Sequence, residues 1–171
     1  MKKILLSLLM IIFTISVTAQ TRKATIIVAN FEVSEVDTVY AKLVNENLIN
    51  HFVELDKYNV IERSQLDKIL KELRLSNSAL ADANTAMKIG KILSAYGIVI
   101  GSVMKLGSSI IITTRLVETQ TGEVVRTAKS KIPITDNEQS LDNACKALIY
   151  KLCKLKVAKS SVLRKWKRNN N

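Results

Sequence analysis

Val60-Ile61-Glu62-Arg63-Ser64-Gln65-Leu66-Asp67-Lys68-Ile69-Leu70-Lys71-Glu72 changes its hydrophobic period part-way along, and that change decides the fold class. Val60 and Ile61 end a short extended piece that starts at Tyr58. Leu66, Ile69, Leu70 and Leu73 then recur at helical spacing, so one apolar helix face follows the strand directly. Ser64 is placed to accept the amide proton of the third helical residue, and Asp67 at that position to reach back, as a capping box requires.

The same alternation extends in both directions. Ala24 to Phe31 is rich in Ile and Val and reads as a buried first strand, with Asn30 and Phe31 leading into a loop. From about Asp37, the residues Ala41, Val44, Leu48, Phe52 and Leu55 fall on one side of a helix. Strand, helix, strand implies a parallel pair joined by a right-handed crossover. Ser76 to Asn84 is polar and reads as a loop or loose extra turn, and Thr85 to Ser94 as a helix with Ala86, Ile89 and Leu93 inward. Gly90 on that inner side would admit a close neighbour, or is a tolerated helix glycine costing about 1 kcal/mol against alanine.

Gly97 reads as the stop of this helix, and Ile98 to Lys105, apolar on both faces, as a central strand. Ile110 to Val117 and Val124 to Ile132 continue as a meander through tight turns at Leu106-Gly107-Ser108 and Thr119-Gln120-Thr121-Gly122, and Pro133 closes it. A last helix from about Glu138 to Val157 turns Leu141, Ala144, Cys145, Leu148, Ile149, Leu152 and Leu155 to one side. The predicted fold is α/β: a mixed sheet of about five strands in the order β-α-β-α-α-β-β-β-α, with helices packed on it in two or three layers.

Three ordered segments resemble the curli secretion lipoprotein (CsgG-like) family and its small envelope relatives, among them lipoprotein activators of penicillin-binding proteins. The first is the strand-to-helix stretch with Glu62, Arg63 and Leu66; the second runs from Gly90 to the Gly101-Ser102 step; the third is the hairpin with Arg115 and Gly122. Together they span roughly Thr25 to Ile132. The resemblance implies an anticodon-binding-domain-like α/β unit that presents surfaces for protein contact. In the secretion-channel members, long amphipathic hairpins inserted into this unit form a membrane barrel. The turns here are too short to hold transmembrane strands of about 9 to 11 residues each, so this chain is not expected to form a pore.

Lys2 and Lys3 precede an apolar run from Ile4 to Val17, and Val17-Thr18-Ala19 offers the small residues a signal peptidase reads, so residues 1–19 are expected to be a signal peptide. An uncleaved anchor is the competing reading; the run is shorter than the about 20 apolar residues a span needs. Residues 20–158 then make one CsgG-like domain, and 159–171 a basic, disordered tail. Gln20 stands where lipid-anchored family members carry cysteine, which favours a periplasmic protein, peripheral to the outer membrane at most.

Between Gln20 and Asp142 fifteen Lys and Arg face fifteen Asp and Glu, whereas from Asn143 onward there are nine bases and no acid. The basic character therefore belongs to the end of the chain. Export argues against nucleic acid as its partner, despite the affinity of such tails for phosphates. Phospholipid headgroups, acidic cell-wall polymers or an acidic protein remain, with Trp166 between Arg164-Lys165 and Lys167-Arg168 as a membrane-interface residue, or else a plain solvated tail.

His51, the single histidine, reads as a surface residue, and no phosphate loop, metal-spaced Cys or His set, or nucleophile-base pair appears. No cofactor or metal is expected, and the chain is read as not an enzyme. Cys145 and Cys153 lie eight residues apart in one helix, about 12 Å by the helical rise, beyond the roughly 7 Å that a disulfide spans. Cys145 reads as a small buried residue and Cys153, nearer the exposed edge, as a candidate for pairing with a second copy.

The expected role is an exported envelope component that binds proteins in surface-polymer secretion, outer-membrane assembly or cell-wall synthesis. Arg63, Lys68, Lys71 and Arg74 on the second helix and the cationic end at Arg164–Arg168 are the candidate contacts. The alternative is a membrane-surface or polyanion-binding module acting through its tail.

Overall fold

The computed structural model describes residues 23–134 and 138–153. In chain order the elements are β1 (Ala24–Val28), β2 (Glu32–Ser34), α1 (Thr38–Leu55), β3 (Tyr58–Val60), α2 (Arg63–Glu72), a 3-10 turn (Asn77–Ala81), α3 (Ala83–Ile92), β4 (Gly97–Leu106), β5 (Ser109–Glu118), β6 (Val124–Pro133) and α4 (Glu138–Leu152). The expected signal peptide and basic tail lie outside the described residues.

The sheet has six strands, in the order β3-β1-β4-β5-β6, with β2 also paired to β4. β1 pairs parallel to β3 and to β4, and the β4-β5-β6 meander is antiparallel. The mixed sheet is as expected, with one strand more. That strand, β2, arises where a loop was expected after Asn30. β1 reaches Val28 opposite Val99, and β2 resumes at Glu32 opposite Ser102, four steps on one side against three on the other. One residue is therefore in excess between β1 and β2, as at a bulge.

Helices cover both faces, so the domain has three layers. α1 and α4 bury Val44, Leu48, Phe52, Cys145, Leu148 and Ile149 against Ile26, Val99, Val103 and Ile112. α2, the 3-10 turn and α3 bury Leu66, Leu70, Leu80 and Ile89 against Ile27, Ile98, Ile100 and Val117. β4 supplies residues to both clusters, as its two apolar faces demand.

Several local expectations are corrected. α2 begins at Arg63 and not after Ser64: the Ile61 amide still donates to Ile26 O, at 2.9 Å, so the chain turns only at Glu62, whose side chain makes no capping bond. Ser64 thus lies inside the first turn and the capping box does not form. The polar stretch after Ser76 is ordered because Leu80, 1% exposed, anchors the 3-10 turn. Asp82 then caps α3 by accepting from the Thr85 amide at 2.9 Å and the Thr85 hydroxyl at 3.0 Å, bonds that hold its carboxyl below the usual range.

Gly97 is not the helix stop. α3 closes earlier, with Ser94 at φ 51° and the Ala95 amide donating to Gly90 O at 2.8 Å, and α2 closes the same way through Arg74 at φ 53°. Both are six-to-one C-terminal closures made without glycine. Gly90 does serve close packing: a Cβ there would lie 2.1 Å from Thr119 Cγ2. Thr119 is itself buried and donates its hydroxyl to the carbonyls of Ala95 and Tyr96. The hairpin glycine behaves as expected, with Gly122 at φ +75°.

His51 is 8% exposed and not on the surface. Its Nε2 lies 2.8 Å from Asp142 Oδ1 and its Nδ1 3.1 Å from Glu54 Oε2. The ring therefore ties α1 to α4 through a residue 91 positions away, which the periodicity of α1 could not show. Cys145 is buried as expected, and burial, reinforced by the Asp142 charge, pushes its thiol up to about 12, which keeps it protonated and unreactive. Cys153 is half-buried beside Tyr58, with which it shares a side-chain hydrogen bond, and is less presented to a second copy than its position in the helix implied.

Two expectations follow. Gly90→Ala would overpack the α3 contact with Thr119 and lower stability by about 1 to 3 kcal/mol in chemical denaturation, the usual cost of an extra methyl in a filled site; an unchanged midpoint would refute the close approach. Asp142→Ala would strand a buried ring nitrogen, a loss of about 1 to 3 kcal/mol, and an equal loss in a His51→Leu background would show that the ring contact contributes nothing.

Candidate functional site

In open α/β sheets, the crevice outside the carboxyl ends of parallel strands, where successive connections leave on opposite faces, is the natural place for a site. Here β1 leads to α1 on one face and β3 to α2 on the other. Asn30, at the end of β1, occupies that crevice. Its Oδ1 accepts from Asn45 Nδ2 of α1, at 3.1 Å, and from the Arg63 guanidinium of α2. One side-chain carbonyl thus joins the two helix layers at the break between β1 and β2.

Beside this junction lies a cleft of about 280 Å³ lined by Asn30, Glu32, Asn77, Ile100, Ser102 and Arg115. Glu32, Ser102 and Thr113 stand in register across β2, β4 and β5, and Arg115 lies opposite Ile100. Alternation puts all of them on the α2 and α3 side of the sheet. Gly101 faces the other way, beneath the Phe31 ring: a Cβ there would come 2.4 Å from Phe31 Cε2 and 2.2 Å from Thr113 O. Glycine at that step lets the ring cover the sheet and keeps the cleft floor close to the bulge.

The lining mixes donors and acceptors. Asn77 Oδ1 is buried without a hydrogen-bond partner among the described residues, Glu32 and Arg115 are exposed, and Ser102 and Thr113 add hydroxyls. His51, the only histidine in the sequence, belongs to the cluster on the other face, so it is no base for Ser102. Among the described residues no His, Cys, Asp and Glu group could hold a metal ion. The lining thus offers hydrogen-bond donors, acceptors and one charge of each sign.

The sequence-derived site residues divide three ways. Gly101, Ser102 and Arg115 line the cleft, and Arg63 reaches the Asn30 junction beside it. Gly90 and Gly122 meet instead at the contact between α3 and the β5–β6 turn, where a Cβ on Gly122 would lie 2.8 Å from Met87 Sδ. Leu66 is core, and Glu62 begins α2. Of the candidate contacts, Lys68, Lys71 and Arg74 are exposed on α2. Arg63 is engaged with Asn30 and lies 3.8 Å from Asp67, which makes it a structural tie more than a free contact. Arg164, Lys165, Trp166, Lys167 and Arg168 lie outside the described residues. Sequence reasoning passed over Asn30, Asn45 and Asn77; the one signal for Asn30 is that it interrupts an apolar run between Ala29 and Phe31.

A three-layer α/β domain with a mixed sheet and a polar cleft at the break between β1 and β2 is the class these features define. The profile of the family described as curli production assembly/transport component CsgG matches residues 9–111, and the chain belongs to that family. The matched interval includes Arg63, Leu66, Gly90, Gly101 and Ser102, while Arg115 and Gly122 lie beyond it.

Solved structures share the fold. The C-terminal domain of LpoB from Escherichia coli is 19% identical, with a TM-score of 0.56 over 73% of this chain and 93% of that one. Lipoprotein GNA1162 from Neisseria meningitidis is 17% identical, with a TM-score of 0.60 over 76% and 96%. The PelC dodecamer from Paraburkholderia phytofirmans is 11% identical, with a TM-score of 0.51 over 75% and 86%. No curated protein matches the chain in sequence.

The Asn30 junction yields a coupling. Asn30→Ala and Arg63→Ala should each destabilise, and the double variant should lose less than their sum by about 0.5 to 3 kcal/mol, the range for residues in one network. Additive losses in urea unfolding would show that the two side chains act independently.

Proposed function

We propose that the chain is a non-enzymatic, exported cell-envelope protein that works by binding other proteins, in surface-polymer secretion, outer-membrane assembly or cell-wall synthesis. Membership of the CsgG family carries this reading. It is supported by a site rich in recognition groups and by a meander joined through tight turns at Gly107-Ser108 and Thr119–Gly122. β4 and β5 are ten residues each, yet both are held in the domain sheet and have no extension to spare for a barrel. Among the described residues no helix is long and apolar enough to cross a membrane.

Residues 1–19 act as the export signal in this reading, 20–158 as the adaptor and 159–171 as a cationic end that tunes attraction to anionic surfaces. Assembly with further copies is compatible with it, since a relative of this fold is described as a dodecamer. The alternative, a membrane or polyanion binder, is favoured only by the nine bases that follow Asn143 without an acid. Such attraction is electrostatic and is screened within about 8 Å at physiological ionic strength.

Recovery of cross-linked partners from gently solubilised envelopes, with the full chain and with a truncation after Ala158, separates the two. The adaptor reading expects the same partner from both at physiological salt. Capture that disappears with the tail, together with salt-sensitive binding to phosphatidylglycerol vesicles, would replace it with the surface-binding reading. Step conductance from the purified chain in planar bilayers would overturn the claim that it forms no pore.

A further inference from the structure

The two helix layers do not cover the sheet equally. On one face α4 reaches β6 and buries Ala128 and Ile132. On the other, the buried cluster under α2, the 3-10 turn and α3 ends at Ile100 and Val117 and takes no residue from β6. Alternation places Ile111, Thr113 and Arg115 of β5 and Thr127, Lys129 and Lys131 of β6 on this uncovered side. Arg115, Lys129 and Lys131 are exposed, and Met104, opposite Ile111, is 41% exposed. The uncovered side opens into the cleft through Thr113 and Arg115.

Its charge is one-sided. None of the described carboxylates lies within ion-pair distance of Arg115, Lys129 or Lys131. The nearest acid in register is Glu32, in line with Ser102, Thr113 and Lys129 and three strands from the lysine. Lys129 and Lys131 sit on one face of one strand, where like charges repel until an anion is placed between them. Met104 and Ile111 lie in register with Lys131, and Ile111 shares a strand face with Arg115, so apolar positions sit beside cationic ones on this surface.

We propose that this uncovered face of β5 and β6, together with the cleft, docks an extended acidic segment of a partner protein. The proposal rests on the adaptor reading and names its surface and the chemistry of what binds. Carboxylates of such a segment would meet the Arg115 fork, which suits bidentate pairing, and the two lysines. Its apolar side chains would cover Met104 and Ile111. Glu32 and the unpartnered Asn77 Oδ1 at the cleft end decide between anions: both accept hydrogen bonds, and a phosphate-rich surface would set acceptor against acceptor there. A peptide brings N–H donors as well as carboxylates.

The test is a titration of the full isotope-labelled chain with the synthetic hexapeptide Glu-Glu-Val-Val-Glu-Glu, which carries both residue types on each face of an extended chain, followed by amide chemical shifts. Shifts are expected at Thr113, Arg115, Lys129 and Lys131, and little change with the Gln-for-Glu peptide. Arg115→Ala, and separately Lys129→Glu with Lys131→Glu, should weaken binding about tenfold, the effect of losing one charged hydrogen bond. Lys68→Glu with Lys71→Glu on α2 should leave it unchanged. Shifts centred elsewhere, equal weakening by the α2 variant, or equal perturbation of the same amides by phosphatidylglycerol vesicles or polyphosphate would overturn the proposal. Envelope partners that the chain still captures after the β5 and β6 substitutions would overturn this surface and leave the adaptor reading intact.

Discussion

β4 is bonded along both edges and packed on both faces, and the remaining elements take their places from it. β1 and then β2 pair with one edge and β5 with the other. A strand in that position has no solvent side at its centre, so Ile98, Val99, Ile100 and Val103 are buried whichever way they point. Helices on both faces are the physical consequence, since each face must be withdrawn from water.

The same strand explains why a site forms where it does. Past Val99 its partner edge changes from β1 to β2, and the one-residue excess between them leaves Asn30 without a ladder position. A half-buried amide side chain gains from hydrogen-bond partners, and it finds them in Asn45 and Arg63, one from each helix layer. Gly101 lets Phe31 close the gap on one side while the cleft remains open on the other. The packing irregularity and the polar cleft are therefore one feature.

Family membership and fold agree with this arrangement, though fold by itself does not dictate function. What distinguishes the chain within its architecture is the distribution of its charge. A balanced body ends in a cationic segment, and within that body one uncovered sheet face carries unpaired cations. Both features point outward to partners more than inward to chemistry.

Elements with a strong period were legible without coordinates: the strand-to-helix step after Tyr58, the apolar face of α1, the two tight turns and the central strand all follow from local side-chain pattern. At Gly90 the pattern left two readings open, and the packing against Thr119 decides for the close approach. The sequence alone also showed that the excess positive charge lies at the end of the chain. Decided only in three dimensions were β2, the burial of His51 between Glu54 and Asp142, the order of the turn around Leu80, and the convergence of Arg63, Ser102 and Arg115 beside Asn30. Each of these depends on partners brought together by sheet register and layer packing, and periodicity records which side a residue takes on its own element but not what the next element places against it.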